Sequence, residues 1–130
     1  MLGAPIPILR SFDEARARAV YVDFLGFELR FERRFAEGVP LYREVRKGAC
    51  VLHISGHYGD ATPGSAVRIP VDDVAAYMAD LRGKAFGNAR PGVPEETEWG
   101  TREIIIKDPA GNSLTFFTPI SAGGDNGASQ

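Results

Sequence analysis

The polarity pattern of the chain contains two stretches in which apolar residues recur at helical spacing. The first consists of Ala17, Tyr21, Phe24 and Leu25, and the second of Val74, Tyr77, Met78 and Leu81. This spacing predicts two helices, each with one apolar face. Gly26 and Gly83 follow the two patterns closely and are expected to end the helices. Ser11 with Glu14 predicts a capping box for the first helix, and Asp72 is the expected N-cap of the second.

Elsewhere, apolar and polar residues alternate over short runs, which predicts strands. Two prolines in the first run are typical of an edge strand or of a strand start. The run that begins at Phe27 gives Leu29, Phe31 and Phe35 as candidate core residues. The predicted strands are residues 5–12, 27–35, 41–47, 50–55, 66–71, a short one that begins at residue 84, 101–107 and 113–118.

The predicted order is strand, helix and three strands, and this order occurs twice. Residues 1–60 and 61–119 are therefore predicted to be two βαβββ modules of a single α+β domain, residues 1–119. The halves share little sequence identity, so the repeat rests on element order alone. Curved mixed sheets of this kind enclose a concave cleft, which is a natural ligand site. The small and polar residues 120–130 are expected to be a disordered tail.

Composition and charge exclude several classes of protein. The 130 residues carry a net charge of −2, so neither nucleic acid nor an anionic membrane is an expected partner. No apolar run approaches the length that spans a bilayer. The single cysteine, Cys50, excludes an intrachain disulfide and lies in an apolar strand, where it is expected to be a small buried residue. A reducing, cytoplasmic location is therefore predicted.

The two histidines, His53 and His57, are the first candidates for metal binding. Their spacing suits a helix, but the residues around them predict a strand that runs into a glycine-rich loop. Four residues of strand span about 13 Å, too far for both rings to bind one ion without a sharp reversal at Gly56. No serine or cysteine lies in a nucleophile motif. We therefore predict no shared metal site, no cofactor and no catalytic residue.

The segment 95–103, EETEWGTRE, combines four carboxylates with the only tryptophan, Trp99, and a single cation, Arg102. One interpretation is a solvated loop whose tryptophan folds back onto the core. The other is a binding site, because carboxylates attract cations and an indole stacks on flat rings. An exposed acidic loop rarely needs a tryptophan, so the segment favours a site for a cationic, planar ligand.

The same segment and the hairpin after it carry a recognisable signature. Its residues are Trp99, Gly100, Arg102, Glu103, Asp108, Pro109, Gly111 and Asn112, and an earlier part consists of Tyr21, Leu25, Gly26 and Phe27. In this arrangement the chain resembles bleomycin-resistance proteins of the vicinal-oxygen-chelate superfamily, which also contains glyoxalases and dioxygenases. The resemblance covers roughly residues 5–118 and implies paired βαβββ modules.

Metal-using members of that superfamily take one ligand from each of four strands. The resemblance puts these positions at Ile6, His53, Ser65 or Ala66, and Thr115, and only His53 among them is a metal ligand by type. The metal-free, drug-binding members are dimers whose two clefts lie between subunits and are lined by aromatic and acidic residues. The resemblance thus implies a metal-independent homodimer with the tryptophan at the rim of a cleft.

Three hypotheses follow. The leading one is a dimeric protein that gives antibiotic resistance by sequestering a cationic, aromatic compound, such as a bleomycin-type glycopeptide, without chemical change. Its predicted ligand-binding residues are Trp99, His53, Phe31, Phe35, Tyr42, Arg68 and Glu103. The second is an enzyme of the same superfamily, a lyase, isomerase or dioxygenase, with His53 as metal ligand or general base. The third is the same fold with another ligand and no role in resistance.

Overall fold

A computed structural model describes residues 1–84 and 91–120 of the chain, which form two four-stranded sheets and two helical segments. The strands are β1 Ile8–Arg10, β2 Glu28–Arg34, β3 Leu41–Lys47, β4 Cys50–Ser55, β5 Ala66–Pro70, β6 Glu95–Glu96, β7 Thr101–Lys107 and β8 Ser113–Pro119. The helices are α1 Glu14–Arg18, which continues as a π-helix over Ala19–Phe24, and α2 Val74–Arg82. This order confirms the α+β prediction.

The chain packs as two compact units. The first comprises Met1–Val67 together with Lys107–Ser113, and the second comprises the rest of the described residues. The turn between β7 and β8 therefore belongs to the first unit, although it comes late in the chain.

The first sheet has the strand order β1-β4-β3-β2. β1 runs parallel to β4, with Ile8 beside His53, and β3 runs antiparallel to both of its neighbours. The register pairs Tyr42 with Ser55 and Glu44 with His53. Because side chains alternate along a strand, these residues project from the same face of the sheet.

The first helix buries its apolar face in this unit, and all four of its predicted apolar positions are buried. Gly26 follows with a φ of 85°, which confirms it as the helix end. The predicted capping box is wrong, because the N-cap is Asp13, whose carboxylate accepts a hydrogen bond from the backbone N–H of Arg16. Ser11, just past the end of β1, instead donates its backbone N–H to the carbonyl of Ser55 at the end of β4.

The second sheet has the strand order β5-β8-β7-β6. α2 buries Val74, Met78 and Leu81 as predicted, while Tyr77 is half-buried. The Tyr77 ring meets the buried ring of Phe116 edge-on, with 5.3 Å between centroids. These contacts form the apolar core of the second unit.

The N-cap of α2 differs from the prediction by one residue. Asp73, not Asp72, accepts the hydrogen bond from the backbone N–H of Ala76. Gly83 is the C-cap, as predicted. In the described ranges, no helix has both the length and the apolar character needed to cross a bilayer.

Several strand predictions need correction. β1 is shorter than the predicted 5–12, and a bulge between Leu29 and Phe31 interrupts the alternation of β2. Leu29 and Phe31 are half-buried, and Phe35, which lies beyond the end of β2, is 67% exposed. Phe35 is therefore not a core residue. The predicted strand that begins at residue 84 and the predicted disordered tail fall mainly on residues 85–90 and 121–130, outside the described residues.

The turn between β7 and β8 is held by a buried polar cluster. The Tyr21 hydroxyl donates to Asp108 Oδ2 over 2.6 Å, and Asn112 Nδ2 donates to the same oxygen over 2.8 Å. Asn112 Nδ2 also donates to the carbonyl of Arg10, and Asn112 Oδ1 accepts from the backbone N–H of Ser65. Burial, followed by the Asp108 carboxylate, raises the pKa of Tyr21. The two parts of the sequence signature therefore meet in a structural contact.

Candidate functional site

The first sheet carries a hydrogen-bonded trio on its Tyr42 face. The Tyr42 hydroxyl lies 2.7 Å from Nδ1 of His53, and Nε2 of His53 lies 2.9 Å from a carboxylate oxygen of Glu44. A carboxylate only accepts, so Nε2 carries the proton and Nδ1 accepts from the tyrosine hydroxyl. Both ring nitrogens are thereby engaged, and the imidazole is fixed in one orientation.

The electrostatics favour Tyr42 as the donor in this trio. Partial burial raises the pKa of Tyr42, and the carboxylates of Asp60 and Glu44 raise it further. The phenol therefore stays protonated at neutral pH and has a hydrogen to donate. Asp60 is itself held by the hydroxyl of Ser55, which donates to Asp60 Oδ2 over 2.6 Å.

Aromatic rings surround the trio. Phe31 meets His53 edge-on with 5.8 Å between centroids, and Phe35 lies 5.5 Å from His57 and 6.4 Å from Tyr42. His57, in the predicted glycine-rich loop, belongs to this cluster, and its Nε2 is buried without a hydrogen-bond partner among the described residues. In the sequence, its position four residues after His53 and just past Gly56 indicates that a reversal of the chain at Gly56 could bring the two histidines close together. We call these five rings, Phe31, Phe35, Tyr42, His53 and His57, the aromatic cluster.

A second cluster forms in the other unit around Glu103. Arg68 donates to both of its carboxylate oxygens, over 3.3 and 2.9 Å, and Thr101 donates its hydroxyl over 2.6 Å. The indole nitrogen of Trp99 donates to the same carboxylate over 3.3 Å. The Arg68 guanidinium also lies 4.5 Å from the ring centroid of Phe117. These contacts join side chains from β5, β7 and β8 on one face of the second sheet.

The chemistry of Glu103 follows from these donors. The hydrogen bond from Arg68, and then that from Thr101, lowers the pKa of Glu103 from 4.5 to about 2. The carboxylate is therefore charged at all physiological pH values. Because its oxygens already accept from three side chains, Glu103 positions the Trp99 indole and has little capacity left for a ligand.

The predicted acidic loop is a hairpin in which Glu95 pairs with Glu103 and Glu96 pairs with Arg102. Arg102 and Glu96 also form a salt bridge of 2.9 Å. The side chains of Glu95 and Glu98 have no cationic partner in the part of the chain that the structure describes. Both carboxylates are exposed to solvent.

Trp99 itself is 66% exposed, which excludes the interpretation that it folds back onto the core. It borders a pocket of about 420 Å³ on the second unit. The pocket walls combine carboxylates with apolar side chains, and they are formed by Gly92, Val93, Glu95, Glu96, Thr97, Trp99, Glu103, Ile104 and Ile105. We call Glu95, Glu98 and Trp99 the hairpin site.

The residues at the superfamily's metal-ligand positions do not fit a metal ion. The side chains of Ile6 and Ala66 have no atom that binds a metal, and the hydroxyl of Ser65 donates a hydrogen bond to the carbonyl of Thr62. Both ring nitrogens of His53 already form hydrogen bonds. Across residues 1–84 and 91–120, no group of three or more histidine, cysteine or acidic side chains is arranged to hold an ion.

The seven residues predicted to bind ligand fall into these two clusters. Phe31, Phe35, Tyr42 and His53 lie together on the first unit, and Arg68, Trp99 and Glu103 lie together on the second. Each group is thus assembled within its own unit.

Known proteins give a consistent family assignment. The family described as glyoxalase superfamily protein matches residues 2–123. A bleomycin-binding protein from bleomycin-producing Streptomyces verticillus, solved with copper(II)-bleomycin, is 31% identical over 89% of this chain and 94% of its own, with a TM-score of 0.66. TnmS3, an antibiotic binding protein from Streptomyces sp. CB03234, is 25% identical over 92% and 98%, with a TM-score of 0.66.

A bleomycin resistance determinant encoded on the transposon Tn5 shares the fold, with a TM-score of 0.68 at 22% identity over 91% of this chain and 98% of its own. No curated protein sequence matches the chain significantly. The family match spans nearly all of the described residues, and the fold agrees with it. The chain belongs to the glyoxalase superfamily.

Proposed function

We propose that this protein binds a cationic, aromatic small molecule of the bleomycin type and holds it without chemical change. The observation that carries the proposal is the 66% exposed indole of Trp99, held by Glu103 and lining the same pocket as the exposed Glu95. An exposed tryptophan with a fixed ring nitrogen is a stacking surface that loses little entropy when a ligand binds.

The chemistry of the hairpin site defines the ligand class. Stacking on an indole contributes about 0.5–1.5 kcal/mol beyond the buried area, and a cation over the ring about 0.5–2 kcal/mol. The carboxylate of Glu95 lines the same pocket as the ring, and Glu98 precedes Trp99 in the sequence, so the local charge attracts a cation and repels an anion. A ligand with a flat ring system and a positive charge therefore satisfies both parts of the site.

The aromatic cluster supports the same ligand class from the first unit. Phe35 is 67% exposed and adjoins Tyr42 and His57, so it offers a second stacking surface. The Streptomyces verticillus relative, which is 31% identical, was solved with a bleomycin bound. We further propose that the protein works as a cytoplasmic homodimer with its clefts between subunits and that sequestration gives antibiotic resistance.

A second candidate function is suggested by the pairing of His53 with Glu44 over 2.9 Å, because a carboxylate orients an imidazole and fixes its tautomer, as in many general bases. An enzyme that uses His53 as a general base needs a free ring nitrogen within reach of the substrate. Tyr42 occupies Nδ1, so a substrate must first displace the tyrosine hydroxyl. Capture without chemistry requires no such step and is therefore preferred.

The test is a titration of the protein with metal-free bleomycin, followed by the fluorescence of Trp99, the only tryptophan. We expect a saturable change in emission, recovery of ligand of unchanged mass after prolonged incubation, and weaker binding by Glu95→Gln, because Glu95 lines the pocket with Trp99. Glu37→Gln, on the first unit, is the control and should bind as the wild type does. A ligand of altered mass would favour the enzyme, and no emission change with bleomycin or other cationic glycopeptides would reject the proposal.

A further inference from the structure

A second pocket, of about 580 Å³, lies on the first unit at the end of the sheet where β1, β2 and β4 finish and β3 begins. Its lining includes Arg10, Phe12 and Arg34. It shares no residue with the hairpin site or with the aromatic cluster. Its chemistry is also different, because its walls contain cations as well as carboxylates.

Arg10 is the uncompensated cation of this pocket. Its guanidinium carbon lies 4.8 Å from the ring centroid of Phe12 and 5.8 Å from that of Tyr58. Its Nε is buried without a hydrogen-bond partner, and the side chain forms no ion pair with any described residue. The two rings flank the planar group, and its terminal nitrogens make no hydrogen bond to any described residue, so they form a fork that can bind an anion.

The other charged side chains of the pocket already form hydrogen bonds within the protein. Arg34 donates to both carboxylate oxygens of Glu14, over 3.0 and 2.7 Å. Asp13 caps the first helix through Oδ1, which accepts from the backbone N–H of Arg16. A guanidinium fork matches planar carboxylates and also phosphates. Because Asp13 and Glu14 repel a second negative charge, the pocket favours a monoanion over a phosphate dianion.

The remaining walls are apolar. The Phe12 ring is 64% exposed, and Val39 and Pro40 line the same pocket. An aromatic or aliphatic group attached to the anion has surface to cover there. We propose that this pocket is a second binding site, for a small carboxylate that carries an apolar or aromatic group, with Arg10 gripping the carboxylate and Phe12 contacting the apolar group.

This site is independent of the proposed function, since the hairpin site takes a cation and lies in the other unit. The probes are benzoate, its neutral isostere benzamide, inorganic phosphate, and N-acetylphenylalanine, whose carboxylate is presented as at a peptide C-terminus. The readout is the NMR shift of the backbone amides of Gly38 and Val39 in the pocket wall.

We expect saturable shifts with the carboxylate probes at millimolar concentration and binding of benzamide and phosphate that is at least about tenfold weaker. Tighter binding of benzoate would indicate a free small carboxylate as the natural ligand, and tighter binding of N-acetylphenylalanine would indicate a peptide C-terminus. Either result supports the proposal. Arg10→Met should weaken the binding of benzoate about tenfold or more. Arg10→Lys keeps the positive charge but loses the planar guanidinium, so its affinity for benzoate should lie between those of Arg10→Met and the wild type.

The matched control is Arg16→Met, an exposed arginine whose side chain does not line the pocket, and it should bind benzoate as the wild type does. Equal binding of benzoate and benzamide by the wild type would overturn the proposal without any variant. Tighter binding of phosphate than of both carboxylates, or no shift with any probe up to about 20 mM, would also overturn it.

Discussion

The indole nitrogen of Trp99 and a carboxylate oxygen of Glu103 lie 3.3 Å apart, and the same carboxylate is gripped by Arg68 from a different strand. The exposed indole of Trp99 is therefore held by strands of the second sheet as well as by its own turn. A ring that is both exposed and anchored is suited to contact a ligand.

The first prediction concerns Trp99→Ala. Because the indole is mostly exposed, the folded protein should lose little stability, whereas ligand binding should lose about 1–2 kcal/mol of stacking and cation contact. Thermal unfolding and bleomycin titration by calorimetry measure the two quantities. Phe116→Ala, at a residue that is 1% exposed, is the contrasting core variant and should cost about 3–5 kcal/mol. A comparable loss of stability in Trp99→Ala would identify the indole as a core residue.

The second prediction is a pH dependence centred on Glu103. Its pKa falls from 4.5 to about 2 through the hydrogen bonds from Arg68 and Thr101. The stabilisation from this carboxylate is present above about pH 4.5 and is lost as the pH falls toward 2. The emission of Trp99, next to the carboxylate, should change with a midpoint near that low pH. In Arg68→Met the midpoint should move to higher pH. An unchanged midpoint would show that Arg68 does not lower the pKa of Glu103.

The third prediction concerns the tautomer of His53. At pH 8 the ring should carry its proton on Nε2, facing Glu44, with Nδ1 accepting from Tyr42. Nitrogen-15 NMR of the imidazole distinguishes the two tautomers directly. Tyr42→Phe should cost about 0.5–1.5 kcal/mol of stability and leave the proton on Nε2, while Glu44→Gln should weaken the preference for Nε2. A wild-type ring with its proton on Nδ1 would contradict this arrangement.

The fourth prediction compares two tyrosines. Tyr21→Phe removes the donor to Asp108 in a buried cluster and should destabilise the protein by about 1–3 kcal/mol. Tyr58→Phe removes a hydroxyl from a ring that is 94% exposed and should change stability by less than about 0.5 kcal/mol. Urea unfolding of both variants provides the comparison, and equal stabilities would show that the Tyr21 hydrogen bond contributes nothing net.

The fifth prediction is that the protein sediments as a homodimer. β1 is the edge strand of the first sheet, and Ile6 and Ile8 near it are exposed apolar side chains. An edge of this kind pairs readily with a second chain. Sedimentation velocity at tens of micromolar, the order at which moderate association is complete, measures the mass. A monomer at that concentration would remove the intersubunit cleft from the proposed function.

The sequence predicts local elements better than the facing of individual side chains. The helix faces follow from local periodicity and are confirmed. The caps differ because Ser11 is held by β4 and because Asp72 and Asp73 are chemically identical neighbours. Phe35 lies beyond the end of β2, where strand alternation no longer predicts which side chains are buried.

The candidate site shows the same limit. The exposure of Trp99 is foreseen from its acidic neighbours, but the role of Glu103 is not, because its partner Arg68 is 35 residues away along the chain. His57 joins the aromatic cluster only because the chain folds back after β4. Contacts between distant strands are set by register, which a single sequence does not encode locally.

The buried contact between Tyr21 and Asp108 also has a consequence for the order in which the chain folds. The two residues are 87 positions apart, and the turn that supplies Asp108 and Asn112 belongs to the first unit. During synthesis, the first unit lacks these partners until residue 113 has left the ribosome. The four strands of the first sheet are complete by residue 55, but the buried polar cluster of that unit forms only after the turn has been made. This long-range contact raises the contact order of the first unit, which slows the last step of its folding.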